Sequence, residues 1–119
     1  MSVRKEQRLC KSNDFQKLYQ SGLRVRSKGL VIYCAKALVD QSRIGIVVSR
    51  KLGCAVLRNK FKRRMRTFFP LICSLVKGTN DFIIIANHPS VVACDFFTLK
   101  SVLLEGLKKL SILENVKHA

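Results

Sequence analysis

The segment from Arg50 to Arg66 combines an apolar stripe with an unusual concentration of positive charge. It contains eight Lys or Arg residues in seventeen positions and no acidic residue. At about 100° per residue, a helix over residues 56–69 would place four apolar side chains on one narrow face and cations on the other. The four apolar residues are Leu57, Phe61, Met65 and Phe68. This pattern predicts a helix that packs one face on a sheet and presents the other to solvent.

The cations of this predicted helix repel one another unless an anion neutralises them. Three like-charge pairs are four residues apart, and each destabilises the helix by about 0.2–0.5 kcal/mol. These pairs are Arg58 with Lys62, Lys60 with Arg64, and Lys62 with Arg66. A polyanion bound along this face would relieve the repulsion and release counterions. Solvated helix faces usually mix both signs of charge, so this one predicts a polyanion-binding surface.

The composition of the whole chain supports this interpretation. The 119 residues carry a formal net charge of +16, and 48% of them are hydrophobic. This content suits one folded domain over residues 1–119 rather than a disordered basic tail. No acidic residue occurs between Asp40 and Asp81, so the positive charge belongs to the first two thirds of the chain. RNA, DNA or an anionic membrane could each serve as the partner.

Several other classes of protein are disfavoured by the remaining residues. The five cysteines are widely separated and include no Cys-x-x-Cys, so we expect reduced thiols rather than disulfides or a zinc site. They are Cys10, Cys34, Cys54, Cys73 and Cys94. The N-terminus is polar, and no apolar run approaches the roughly 18 residues of a membrane span, which predicts a soluble cytoplasmic protein. The Walker pattern that binds nucleotide phosphates is absent.

Periodicity before the basic helix predicts one helix and at least two strands. Ser12 can cap a short helix that ends near Gly22. Its apolar face carries Phe15, Leu18 and Tyr19. Gly29–Leu38 and Arg43–Arg50 have the composition of strands, and the turn signal Asp40-Gln41-Ser42 between them predicts an antiparallel pair.

Periodicity after the basic helix predicts a further strand and helix. Pro70 is expected to end or kink the basic helix. Asp81–Asn87 is a continuous apolar run, typical of a strand buried on both faces. His88-Pro89-Ser90 is expected to turn the chain, and Phe96–Val116 has the pattern of an amphipathic helix.

The segment from Ser49 to Arg66 resembles the signature of the bacterial ribonuclease P protein subunit. Phe15–Gly22, followed by Arg24, is similar to the Phe-x-x-Val-Phe-x-x-Gly segment of that family. Further similar blocks follow in the same order and spacing, so the resemblance extends over nearly the whole chain. These blocks are Val31–Tyr33, Arg43–Gly45 and Asp81–Ala86.

The resemblance implies an α/β (α+β) two-layer sandwich. Its central mixed sheet would have about four strands in the element order α-β-β-(β)-α-β-α. The family fold, like domain 2 of ribosomal protein S5, contains a left-handed strand–helix–strand crossover, against the usual right-handed preference. That handedness is expected from the resemblance alone.

The resemblance also implies how RNA would be bound. In the family, a catalytic RNA removes the 5′ leader of precursor tRNA by Mg²⁺-dependent hydrolysis, and the protein assists. Carried over by position, the contacts to the catalytic RNA are Ser49, Arg50, Lys51, Arg58, Asn59, Lys60, Lys62, Arg63 and Arg66. A cleft on the sheet would hold the leader with Phe15, Tyr19 and Tyr33, although Phe15 suits core packing equally well.

The implied partners are the catalytic RNA and precursor tRNA, with no DNA or membrane partner and one protein copy per RNA. The implied cofactors are that RNA and Mg²⁺, which the RNA would mainly bind. The chain departs from the family at Asn87 and His88, where an Arg is usual after Ala86, and at Thr67, where a Glu is common. These departures put local contacts in doubt.

The resemblance implies an accessory subunit of an endoribonuclease, and the residues themselves predict no catalytic site on the protein. Only two histidines are present, His88 and the penultimate His118, and general acid–base catalysis of RNA cleavage often needs two positioned groups. A two-metal site needs clustered carboxylates, and the seven acids are scattered: Glu6, Asp14, Asp40, Asp81, Asp95, Glu105 and Glu114. Whether one of them helps to hold Mg²⁺ through water stays open. The alternatives are a general structured-RNA-binding or ribosomal-type protein and a protein-only nuclease.

Overall fold

A four-stranded sheet of mixed direction organises the protein. The computed structural model describes residues 7–9, 12–37 and 41–118. In chain order the elements are α1 (Ser12–Ser21), β1 (Leu23–Ser27), β2 (Leu30–Lys36), β3 (Arg43–Val47), α2 (Ala55–Leu75), β4 (Asn80–Ala86), α3 (Pro89–Ala93) and α4 (Phe96–His118). A short 3-10 helix, Arg50–Leu52, precedes α2. The predicted α+β fold with a mixed sheet of about four strands is confirmed.

The order of strands across the sheet is β1-β2-β4-β3. β1 and β2 form an antiparallel hairpin, β2 pairs antiparallel with β4, and β4 pairs parallel with β3. The prediction of a neighbouring antiparallel pair between Gly29–Leu38 and Arg43–Arg50 is therefore wrong, because β4 lies between them. Leu38 and Asp40, which belong to the predicted strand and turn, lie outside the described residues.

β4 occupies this central position because it is apolar on both faces. Phe82, Ile84 and Ala86 point to the side that α2 and α4 cover, where they join the main hydrophobic cluster. Ile83 and Ile85 point to the opposite side, where Leu18 of α1 joins a second cluster. The prediction of a strand buried on both faces is confirmed. A strand of this kind needs cover on both sides, and α1 covers only part of the second face.

α2 continues through Pro70 and ends at Leu75, so the expected end of the helix at Pro70 is wrong. Phe69 and Ile72, on either side of the proline, are buried in the main cluster. A proline inside a helix costs about 3 kcal/mol. Burial of these two side chains stabilises the fold by about 1.5–3 kcal/mol each, which offsets the cost of the proline. Packing therefore holds the last turns of α2 in place.

α1 and α4 follow the predicted pattern, whereas α3 was not predicted as a helix, because His88-Pro89-Ser90 was expected only to turn the chain. α1 ends where Gly22 was expected to stop it, and the Gly22 N–H donates to the Leu18 carbonyl at 2.9 Å. His88 caps α3, since its Nδ1 accepts from the Ser90 N–H at 3.1 Å. The prediction of a helix over Phe96–Val116 is confirmed by α4. None of the described helices has the length and apolar character that crossing a membrane requires.

Substitution of Ile84 and, for comparison, of Ile112 tests how far the stability of the fold depends on β4. Ile84 is fully buried, whereas Ile112 on α4 is 56% exposed. We expect Ile84→Ala to lower the free energy of unfolding by about 2–5 kcal/mol, through lost burial and a residual cavity. The matched change Ile112→Ala should cost less than about 0.5 kcal/mol. Urea denaturation of both variants gives the comparison, and equal losses would contradict a central role for β4.

Candidate nucleic-acid interface

α2 separates its packing face from its charged face. Phe61, Met65 and Phe68 are buried, as the apolar stripe predicts, and Leu57 packs against them from a partly buried position. The six cations of the helix lie on its flanks and outer face. Within the part of the chain that the structure describes, none of them forms an ion pair with a carboxylate. The repulsion expected from the sequence therefore persists in the folded protein.

Two cations of α2 are used inside the protein. Arg64 Nη1 donates to the carbonyl oxygen of Cys94 at 2.8 Å, which ties the middle of α2 to the end of α3, just before α4 begins. Arg58 Nε donates to the carbonyl oxygen of Gly53 at 3.2 Å and so braces the turn before α2. Arg64 belongs to one of the like-charge pairs but was not among the predicted RNA contacts. Its bond to Cys94 shows a structural role instead.

The flank of α2 that carries Arg66 faces the N-terminal segment. Burial lowers the pKa of the Arg66 guanidinium below its ordinary value, and the positive charge of Arg8 lowers that pKa further. Arg8 lies beside β3, in a bridge with Ile44, and the Leu9 N–H donates to the Ile44 carbonyl at 2.9 Å. Sequence reasoning missed Arg8, because only this strand-like pairing brings the N-terminal segment near α2. The positive surface thus extends beyond the helix to the edge of the sheet.

The turn between β3 and α2 presents the predicted contacts Ser49, Arg50 and Lys51. All three residues are exposed. The Ser49 Oγ accepts from the Lys51 N–H at 3.2 Å, and the Ser49 carbonyl accepts from the Leu52 N–H at 3.1 Å. These bonds fix the short 3-10 helix that carries the two cations to the beginning of α2. Among the predicted contacts on α2 itself, Asn59, Lys60 and Arg63 are exposed, and Arg58, Lys62 and Arg66 are half-buried.

The three predicted aromatic residues come together on the other face of the sheet. The Tyr19 and Tyr33 rings meet edge to face with centroids 4.9 Å apart, and the Phe15 ring lies 6.3 Å from Tyr19. Tyr19 is 42% exposed, and Phe15 and Tyr33 are half-buried. Phe15 therefore packs on the sheet and also borders the exposed surface. We call Phe15, Tyr19 and Tyr33 the aromatic cleft.

Two arginines on β1 flank this cleft. Arg24 is the cross-strand partner of Tyr33, and Arg26 is the partner of Val31. Both arginines are exposed and alternate with the buried residues Val25 and Ser27. Since side chains alternate along a strand, the arginines share the face of Tyr33. Sequence reasoning did not name them as site residues, although the alternation Arg-Val-Arg-Ser was the available signal.

The hydroxyl of Tyr19 stays protonated over a wide pH range. Burial raises the pKa of Tyr19 above its ordinary value, and the neighbouring Tyr33 raises it further. A neutral phenol can donate a hydrogen bond and offers an uncharged ring face for stacking. The neutral hydroxyl adds no negative charge to this surface.

The described residues bring together no catalytic constellation. No three His, Cys, Asp or Glu side chains among them gather where they could hold a metal ion. Cys34, Cys54, Cys73 and Cys94 form no disulfide with one another, and Cys10 lies outside the described residues. The acids Glu6 and Asp40 also lie outside them, as do the side chains of Glu114 and His118.

Comparison with known proteins identifies the family. The sequence model described as Ribonuclease P matches residues 3–111. The chain belongs to the ribonuclease P protein family. It is 34% identical over 113 residues to the ribonuclease P protein component of Halalkalibacterium halodurans, with 94% of each chain covered. It is also 42% identical over 91 residues to that of Staphylococcus aureus, covering 76% of this chain and 77% of the relative.

Solved structures of ribonuclease P proteins have the same fold. A mutant of the Staphylococcus aureus protein superimposes with a TM-score of 0.80 at 35% identity, over 90% of both chains. The Thermotoga maritima protein superimposes with a TM-score of 0.70 at 29% identity, over 92% of this chain and 96% of that one. The chain is thus a protein component of ribonuclease P, a ribonucleoprotein endoribonuclease of tRNA processing, and RNA is its partner. The left-handed crossover and the likeness to ribosomal protein S5 stay predictions.

The raised pKa of Tyr19 can be measured because the chain has only two tyrosines and no tryptophan. In Tyr33→Phe the remaining phenol is Tyr19, and desolvation should still raise its pKa. We expect the phenolate absorbance of the folded variant to titrate at higher pH than that of the same variant in urea. Stability linked to this group is then present below about pH 10 and lost as the pH rises through the folded value. If the titration midpoint of the folded variant lies at or below that of the unfolded variant, Tyr19 is not partly desolvated in the folded protein.

Proposed function

We propose that this chain binds the catalytic RNA of ribonuclease P through α2 and the preceding turn, and holds the 5′ leader of precursor tRNA in the aromatic cleft. The observation that carries the proposal is the separation of two surfaces of different chemistry. One is a cationic helix face without ion-paired partners among the described residues. The other is a stacking surface on the far side of the sheet.

The α2 surface suits the backbone of a folded RNA. Arginine binds phosphate through a planar fork, and lysine acts as a compact point charge. The proposed contacts are Ser49, Arg50, Lys51, Arg58, Asn59, Lys60, Lys62, Arg63 and Arg66. Because these cations repel one another in the free protein, neutralisation by phosphates makes binding more favourable and strongly salt-dependent.

The aromatic cleft suits a single strand. Stacking of a base on an aromatic ring contributes about 1–3 kcal/mol and tolerates any base, as a leader of variable sequence requires. Arg24 and Arg26 lie on the edge strand β1, beside Tyr33 of β2. Their exposed guanidiniums supply positive charge for the phosphates of the bound RNA strand. Phe15, Tyr19 and Tyr33 therefore form the proposed leader site.

We propose that the RNA supplies the catalytic groups and holds the Mg²⁺ ions. The described residues offer no carboxylate cluster that fits a hard cation with several oxygen ligands, so we derive no catalytic step from a protein-bound metal. The role of the protein is then to bind and orient two RNAs, with one copy per catalytic RNA. A cytoplasmic location, with no DNA or membrane partner, accords with this role.

Reconstitution tests the proposal. The protein, freed of co-purified RNA, is combined with a bacterial catalytic RNA at low Mg²⁺ and given precursor tRNA. We expect faster cleavage than with the RNA alone, and no cleavage by the protein alone. Absence of any gain, together with equal binding of unrelated structured RNAs, would favour a general RNA-binding protein instead. Cleavage by the protein alone would overturn the assignment of catalysis to the RNA.

Arg63 and Arg66 test the catalytic-RNA surface. Each variant, Arg63→Ala and Arg66→Ala, should weaken binding and reduce the slope of log affinity against log salt by about one unit per lost phosphate contact. Arg64→Ala is the matched control, because it removes the same charge from a residue bound to the Cys94 carbonyl. Titrations of catalytic RNA over a series of salt concentrations provide the slopes. Equal slopes for all three variants and the parent would remove Arg63 and Arg66 from the contact set.

Tyr33 tests the leader site. Tyr33→Ala removes one stacking ring, so precursor tRNA should bind the reconstituted enzyme several-fold more weakly, while mature tRNA binds as before. The affinity of the variant for the catalytic RNA alone should equal that of the parent. Parallel losses for both tRNAs and for assembly would mean that Tyr33 acts through the fold.

A further inference from the structure

The helix α1 carries two of the three aromatic residues of the cleft but is only lightly buried. Among its described side chains, Leu18 alone is buried, at 2% exposure. Burial of one apolar side chain does not by itself fix the rotation or the position of a helix on a sheet, because hydrophobic attraction has no direction. Stacking of bases, in contrast, requires ring planes at fixed positions. Directional contacts elsewhere must therefore set the place of α1.

The first directional contact is a forked ion pair beneath α1. Arg43 Nε and Nη2 donate to the two carboxylate oxygens of Asp81 at 2.9 and 2.8 Å, and Nη1 lies 3.5 Å from an Asp14 oxygen. The side chains of Arg43 and Asp81 are only 18% and 11% exposed. Both are partners in the parallel β3–β4 register, so the sheet holds the fork rigidly. The third bond extends this fixed geometry to α1.

The second contact lies two residues further along β3. The Phe15 ring sits over Gly45 so closely that a Cβ added there would lie 2.8 Å from Phe15 Cζ. Gly45 is buried beside Ile83, its partner in β4, on the face that α1 covers. Only a residue without a side chain lets the ring approach the sheet to this depth. Gly45 therefore leaves the space that the Phe15 ring occupies.

We propose that Arg43 and Gly45 are positioning residues of the leader cleft, an inference that rests on the proposed function. Arg43 and Gly45 are separated by about 6.6 Å along β3 and engage the consecutive residues Asp14 and Phe15 of α1. Two such points fix both the rotation and the translation of the helix. Tyr19 is one helical turn beyond Phe15 and is thereby brought against Tyr33. The cleft is thus preorganised before the leader arrives.

The experiment combines a local probe with a functional one. Tyr19 and Tyr33 are the only tyrosines, and tryptophan is absent, so the tyrosine band of the near-ultraviolet circular dichroism reports on the cleft itself. The functional probe is the ratio of affinities of the reconstituted holoenzyme for precursor tRNA and mature tRNA. Affinity for the catalytic RNA alone shows whether α2 is intact.

Three variants and one control define the test: Asp14→Ala, Gly45→Ala and Arg43→Lys, with Glu105→Ala as the control. Asp14→Ala and Gly45→Ala leave the Arg43–Asp81 fork in place, so the sheet keeps its pairing. Arg43→Lys keeps the charge and removes the fork. Glu105→Ala removes the same charge as Asp14→Ala, at an exposed pair with Lys28 far from α1.

We expect each of the three variants to change the tyrosine band and to lower the precursor-to-mature ratio about fivefold, the size of one weak base stack. Affinity for the catalytic RNA and the behaviour of the control should match the parent. A parental ratio and band in both Gly45→Ala and Asp14→Ala would overturn the proposal, even if Arg43→Lys fails to fold. Equal losses for both tRNAs would also overturn it. A parental enzyme that does not distinguish the two tRNAs would instead overturn the proposed function, and this role with it.

Discussion

The burial of β4 on both faces is the constraint on which the rest of the structure depends. A strand with Phe82 and Ile84 on one side and Ile83 and Ile85 on the other is stable only when both sides are covered. α2 and α4 cover the first side, and α1 with the N-terminal segment covers part of the second. The cationic helix and the aromatic helix are consequently held on opposite faces of one sheet. Two surfaces of different chemistry therefore arise from a single packing requirement.

Repulsion among the charges of α2 and burial of its apolar stripe act on the stability of the fold in opposite directions. The charges repel one another by a few tenths of a kcal/mol per pair, whereas each buried apolar side chain of the stripe stabilises the fold by about 1.5–3 kcal/mol. Phe61 and Met65, which are almost completely buried, therefore outweigh the repulsion. Packing thus lets the helix keep its outer charges, although none of them is ion-paired with a carboxylate among the described residues. Arg58 and Arg64 donate instead to backbone carbonyls, those of Gly53 before α2 and of Cys94 between α3 and α4.

Local patterns predicted the features that depend on neighbouring residues. The apolar stripe of α2, the end of α1 at Gly22 and the doubly buried β4 all follow from periodicity within one element. Strand pairing did not follow, because the insertion of β4 beside β2 depends on contacts far apart in sequence. The path of α2 through Pro70 depends on the burial of Phe69 and Ile72, which no local rule contains. The grouping of Phe15 with Tyr19 and Tyr33 came from the family resemblance, and Arg8 was missed altogether.

The position of β4 has a consequence for biosynthesis. The cationic helix is encoded in the middle of the chain, but the strand that organises its packing is made only afterwards. Until β4 emerges from the ribosome, β2 and β3 lack their shared neighbour, and the apolar stripe of α2 has only an incomplete sheet to pack on. Pairings between distant segments form late and leave apolar surface exposed meanwhile. A nascent chain that stops before residue 80 would therefore present its positive charges on a helix that the completed sheet does not yet hold in place.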